Sequence, residues 1–100
     1  MRIIAKRTLR EFWESDPACQ DCQGSLEAWH SLVAQAEWKT PSDVKRQFRH
    51  ASLLKENRVV FNIAGNKYRL VVKINYSHCV VYVRFVGTHA QYDQINAETV

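Results

Sequence analysis

Arg69, Arg84 and His89 are the residues whose types and spacing point to chemistry in this 100-residue chain. Period-two reading of the run from Arg58 to Phe85 puts Asn62, Arg69, Lys73, Tyr82 and Arg84 on one face of consecutive strands. A guanidinium is always charged and offers a planar fork that matches phosphate oxygens, so two of them on adjacent strands form a phosphate clamp. His89 follows in the segment Val86-Gly87-Thr88-His89-Ala90-Gln91-Tyr92-Asp93, and imidazole exchanges a proton near neutral pH without a large shift. A helical turn there would put Tyr92 on the same side as His89. A proton-transfer group beside a phosphate clamp is the minimum equipment for cleaving RNA without metal. The 2′-hydroxyl attacks phosphorus, a base takes its proton, an acid protonates the leaving 5′-oxygen, and cations hold the phosphorane charge. No carboxylate cluster suggests magnesium or zinc, and no cofactor is expected. The plainer alternative is a solvated sheet face followed by a structural histidine.

A second basic feature precedes the strands. Thr40-Pro41-Ser42-Asp43 reads as a helix start, with proline tolerated at the first position and Asp43 at the positive end of the dipole. Val44 and Phe48 would bury one side, leaving Lys45, Arg46, Arg49 and His50 outside, with Lys55 and Arg58 soon after. Charge of one sign on a short helix and its following loop is a footprint for a nucleic-acid backbone, or else a solvated surface. The formal net charge of +4 favours an anionic partner, which a phosphate backbone or an acidic protein would satisfy.

The positioning elements follow from periodicity. Val59, Phe61 and Ile63, then Tyr68, Leu70, Val72 and Ile74, then Val81, Val83 and Phe85 form purely apolar faces, separated by the turns Ala64-Gly65-Asn66 and Ser77-His78, and Gly87 is expected to end the last strand. Such strands predict an antiparallel sheet packed on helices on one side and wet on the other. Met1 to Ala5 is β-prone and suits an edge strand whose partner and direction the periodicity leaves open. Thr8 and Glu11 fit a capping box opening a helix with Leu9, Phe12 and Trp13 as its buried stripe, ended by Asp16-Pro17. After a loop from Ala18 to Gly24, a helix from Ser25 carries Leu26, Trp29, Leu32, Val33 and Ala36. Trp13 and Trp29 are expected in the core. The order predicts one α+β domain over residues 1–100, a compact antiparallel-rich sheet with helices on one face.

No apolar run is long enough for a membrane span and the N-terminus lacks a signal-peptide core, so no membrane association is expected. Three cysteines make no disulfide framework, which suits the cytoplasm. Cys19-Gln20-Asp21-Cys22 lacks a second pair for zinc and a βαβ context for redox work, and reads as incidental loop cysteines.

The run Arg58-Val59-Val60-Phe61-Asn62-Ile63-Ala64-Gly65-Asn66-Lys67-Tyr68-Arg69-Leu70, followed by Tyr82-Val83-Arg84-Phe85-Val86-Gly87-Thr88-His89 and on through Tyr92-Asp93, resembles the HigB toxins of bacterial type II toxin–antitoxin systems, within the RelE-like superfamily. The opening strand and the intervening helices agree in length and order. The resemblance implies a microbial RNase fold that cuts messenger RNA in the ribosomal A site and inhibits translation. It also implies an antitoxin, often with a helix-turn-helix domain, through which alone DNA would be reached. Carried over, Arg69 and Arg84 hold phosphate, His89 transfers a proton as acid or base, and Tyr92 stacks on a base or assists protonation. Lys55, Lys67 and His50 are weaker candidates for a partner group. Lys45, Arg46, Arg49, Lys55, Lys67 and Lys73 make up the expected RNA-binding set. The alternative on the same fold is a non-catalytic RNA-binding or regulatory module.

Overall fold

A computed structural model describes residues 1–15 and 20–100. In chain order it contains β1 (Arg2–Ile4), α1 (Lys6–Ser15), α2 (Gln20–Gln35), α3 (Pro41–Gln47), β2 (Ser52–Leu53), β3 (Arg58–Ile63), β4 (Tyr68–Asn75), β5 (Val80–Thr88) and α4 (His89–Tyr92). The strands form one five-stranded sheet in the order β1-β5-β4-β3-β2. β1 joins β5 in parallel, and the remaining pairs are antiparallel. A parallel neighbour needs a long crossover, which α1 to β4 supply.

The apolar faces do what their alternation predicts. Val59, Phe61, Ile63, Leu70, Val72, Ile74 and Val81 are buried with Leu9, Trp13, Leu26, Trp29, Val33, Trp38 and Val44. Phe61 is the centre of this core: its ring lies 5.4 Å from that of Trp29, 5.0 Å from Phe48 and 6.3 Å from Trp38. Edge-to-face and stacked contacts of this kind add to the area buried.

Several expectations are corrected. Thr8 does not cap α1, which begins at Lys6, and Glu11 pairs with Arg7 one turn back at 2.8 Å. The segment expected as a loop is already helical from Gln20, so Cys22 is a buried core residue and not a loop cysteine. Leu32, assigned to the buried stripe of α2, is exposed. The expected helix end at Asp16-Pro17, and Cys19, lie outside the described residues.

The largest correction concerns β5. Val72 faces Val83 while Val71 faces Phe85, so Arg84 is an extra residue without a partner. A bulge of this kind shifts the alternation by one. Phe85 therefore leaves the apolar face for the opposite one and Val86 replaces it in the core, opposite Leu70. Gly87 does not end the strand but lies within it, opposite Arg69.

Nor is the opposite face simply wet. Val60, Val71 and Ala97 are buried there, with Leu54, Phe85, Tyr92, Ile95 and Val100 packed around them. The residues after β5 fold back as α4 and a tail of turns, because Val60, Val71 and Phe85 give them an apolar strip to cover. Helices α1 and α2 thus pack on one face, and α4 with the tail covers part of the other.

Candidate active site

Arg69 sits near the β3–β4 turn on the tail-covered face, between Asn62 on β3 and Gly87 on β5. Gly87 lets the chain return close to the sheet. A Cβ there would lie 2.7 Å from both Gln91 Oε1 and Phe85 Cζ. Helix α4 then starts with a capping box: the Thr88 N–H donates to Gln91 Oε1 at 2.9 Å, and the Gln91 N–H donates to Thr88 Oγ1 at 3.2 Å. This places the Tyr92 ring against Phe85, at 6.4 Å, and under the Arg69 guanidinium, 5.5 Å from its carbon. Arg69 Nε is buried and has no hydrogen-bond partner among the described residues. Arg58 Nε is likewise buried without a partner, but Arg69 as a whole is half-buried, so its guanidinium can still be reached by an anion.

His89 opens α4, and its Nε2 lies 3.2 Å from Asn66 Oδ1 in the β3–β4 turn. An amide oxygen accepts only, so Nε2 is the donor in this pair and Nδ1 is the ring nitrogen it leaves unengaged. In this turn Ala64, Gly65 and Asn66 all have positive φ, a region that Gly65 and Asn66 enter at least cost and Ala64 does not. Two side chains beside it reach α2. The Tyr68 hydroxyl donates to Asp21 Oδ1 at 2.7 Å, and Lys67 Nζ lies 3.1 Å from Asp21 Oδ2. These bonds, Tyr68 first and Lys67 second, hold the Asp21 carboxyl below its ordinary value.

Arg84 is placed differently. It precedes Gly87 by three residues, which puts it about 10 Å along the strand from the position opposite Arg69. Its Nε donates to the Val100 carbonyl at 3.3 Å. Arg58, expected on the basic surface, is buried because its Nη1 donates to the carbonyls of Ala97, at 3.3 Å, and Val100. Lys73 stands between them, opposite both Arg58 and Tyr82. The two arginines of the expected clamp therefore occupy opposite ends of one face, one with an open N–H and one on the tail.

The basic helix lies at the β2 edge of the sheet. Lys45, Arg46 and Arg49 surround, with Ser42, a shallow depression of about 530 Å³. Lys45 Nζ donates to the Ala51 carbonyl, and Arg46 lies 3.1 Å from Asp43. The Asp43 carboxylate accepts the N–H groups of Lys39 and Thr40 at 2.9 and 3.1 Å, which holds its pKa low. Lys55 is exposed in the β2–β3 turn, near the tail end of the face, and Lys67 is turned toward α2. His50 and Arg49 line a cavity of about 630 Å³ that also meets Asn62 and Asn66. Sequence reasoning missed Asn66 and Gln91 as site residues. A Gly-Asn pair announces only a turn, and the Thr88-x-x-Gln91 spacing was the one signal for the cap.

Fold and site together define a small α+β domain that offers an anion a half-buried arginine on an aromatic ring, with a histidine at the start of the same helix as that ring. A family model for the HigB toxin, described as the RelE-like toxic component of a toxin-antitoxin system, matches residues 22–95. The chain belongs to that family. It is 28% identical over 99 residues to the mRNA interferase toxin HigB of Escherichia coli strain K12, covering 97% of this chain and 92% of that one. The mRNA interferase HigB of Shigella flexneri matches to the same extent. That of Escherichia coli O6:H1 strain CFT073 is 24% identical over 97 residues, covering 95% of this chain and 91% of its own. No helix among the described residues is long and apolar enough to cross a membrane.

Proposed function

We propose that this chain is an endoribonuclease toxin that cuts messenger RNA on the ribosome by 2′-hydroxyl attack, without metal. The observation that carries the reading is the half-buried Arg69 guanidinium, held over the Tyr92 ring on the short helix that His89 opens, with its Nε unfilled. The names of the relatives, mRNA interferases, support it.

In this mechanism Arg69 takes the scissile phosphate and stabilises the charge that grows on it in the phosphorane. His89, with Nε2–H fixed on Asn66, accepts the 2′-hydroxyl proton at Nδ1. Tyr92 keeps Arg69 in place through its ring and gives its hydroxyl proton to the leaving 5′-oxygen. Arg84 and Lys73 hold the neighbouring phosphate toward the tail. The basic surface of Lys45, Arg46 and Arg49, with Lys55 and Lys67 at the margins, binds ribosomal RNA. The partner that restrains the toxin in the cytoplasm is an antitoxin, of the helix-turn-helix kind.

The test is cleavage of a defined mRNA by purified protein and ribosomes. Cleavage should persist in EDTA once ribosome integrity is controlled for, and products should end in a 2′,3′-cyclic phosphate or 3′-phosphate. His89→Gln should remove turnover and keep ribosome binding. A 3′-hydroxyl product would mean a different nucleophile, and the mechanism would be wrong. Replacing Lys45 and Arg46 together should raise KM and reduce the salt slope of binding by about one log unit per lost phosphate contact. An unchanged slope would remove that helix from the RNA footprint.

A further inference from the structure

The β2 edge of the sheet ends early, and what it leaves open is a site. Strand β2 pairs Ser52 with Val60 and Leu53 with Val59, and then stops. Continuing that register would put His50 opposite Asn62. Instead the chain has already turned toward α3, with the Ala51 N–H on the Phe48 carbonyl at 3.1 Å.

The direction of the β3 main chain is fixed by two bonds. Ile74 N–H donates to the Asn57 carbonyl at 2.9 Å, toward β4, and Leu54 N–H donates to the Arg58 carbonyl at 2.8 Å, toward β2. Alternate residues of an antiparallel strand direct both polar groups to the same side. Asn62, four residues after Arg58, therefore aims its N–H and its carbonyl at the free edge. No hydrogen bond joins them to the segment 47–51. A donor and an acceptor side by side thus face the cavity of about 630 Å³, whose walls include Phe48, Arg49, His50 and the Asn66 turn.

We propose that this notch is a nucleobase subsite. It takes one unpaired base of the RNA, the base edge on the Asn62 main chain and the adjoining phosphate on Arg49 and His50. The proposal rests on the RNA-cleaving reading above and says where a base next to the cut is held. Every base presents an acceptor and a donor side by side on its pairing edge, which is the complement of one residue's N–H and carbonyl. The place is right for the chemistry: Asn62 stands opposite Arg69 in the ladder, and Asn66 holds His89. A strand from a protein partner fits less well. The open edge runs only from Asn62 to the turn at Ala64, shorter than an ordinary strand of about three to ten residues.

The experiment is a titration of the full-length, 15N-labelled protein with 5′-AMP, GMP, CMP and UMP, and with ribose 5-phosphate as control. At least one mononucleotide should move the Asn62 main-chain amide signal saturably at millimolar concentration. Ribose 5-phosphate should leave it in place. The second readout is the distribution of cut sites on one mRNA. Asn62→Pro, which removes the main-chain donor at a sheet edge where proline is tolerated, should change the relative use of the preferred base by on the order of tenfold, and Asn62→Ala, which keeps that donor, should not. An Asn62 amide that no mononucleotide moves, or that ribose 5-phosphate moves equally, overturns the subsite even if the chain cleaves RNA. A selective response in a chain that cleaves no RNA keeps the subsite and overturns the nuclease reading instead.

Discussion

The tail-covered face has two ends, and each carries arginine in a different condition. At the tail end Arg58 is buried with its Nη1 on the carbonyls of Ala97 and Val100, and Arg84 donates to Val100 as well. At the turn end Arg69 has a ring beneath it, and its buried Nε, like that of Arg58, has no partner among the described residues. A guanidinium that already donates to the chain's own carbonyls stabilises the fold. One that rests on a ring and donates to none of the tail carbonyls is left for an anion. Charge alone does not separate the two, because the same side chain does either job, and the difference lies in what surrounds it.

That contrast breaks most directly on Arg69. Arg69→Ala should slow cleavage by about a hundredfold or more, as loss of one preorganised donor to a developing oxyanion does. Arg84→Ala should cost about tenfold, expressed in KM, since its proposed contact is a flanking phosphate. Equal losses in kcat for the two, measured on one mRNA at saturating ribosome, would put both arginines at the same phosphate and end the distinction.

The reverse holds for stability. Arg58→Leu should lower it by about 1–3 kcal/mol, because the Ala97 carbonyl loses its donor and the Val100 carbonyl keeps only Arg84, and the tail should become the first segment cut by protease. Arg69→Ala should melt close to the unmutated protein. A tail equally protected in both variants would show that Arg58 does not hold it.

The smallest effect belongs to the brace behind the turn end. A carboxyl whose folded pKa is depressed contributes stability above its ordinary value, 3.8 for Asp21, and that contribution is lost as pH falls through the lowered value. Asp21→Ala should therefore speed amide exchange slightly at residues 64–67 at neutral pH and leave 93–100 unchanged. The excess should vanish in acid, where the unmutated carboxyl is protonated too. Exchange that rises equally at both ends would mean that the two are one cooperative unit.

Much of the architecture was legible without coordinates, for a local reason. Alternation along 59–63 and 68–75 fixes which residues can share a core, and Val59, Phe61, Ile63, Leu70, Val72 and Ile74 are in it. The pairing of His89 with Tyr92 across one helical turn was likewise local, and the Thr88 cap and Gln91 give that turn its start. Pattern failed where a long-range fact intervened. The extra residue Arg84 becomes a bulge only because β4 fixes the partners on either side of it, so alternation within β5 alone assigned Phe85 to the wrong face. Arg58 looked like surface charge because nothing near it in sequence announces that Ala97 and Val100 come back to cover it.

The sequence by itself thus determined the sheet, the apolar face of each strand, the basic character of α3 and the family, since these rest on residue types and spacings within a few positions of one another. Tertiary structure alone decided which arginine stays open, where β2 stops short of Asn62, and that Asn66 meets His89 across 23 residues of chain. Those depend on where the β3–β4 turn, the 47–51 segment and the tail finally pack. Packing is settled by the whole core at once, and no stretch of sequence carries it alone.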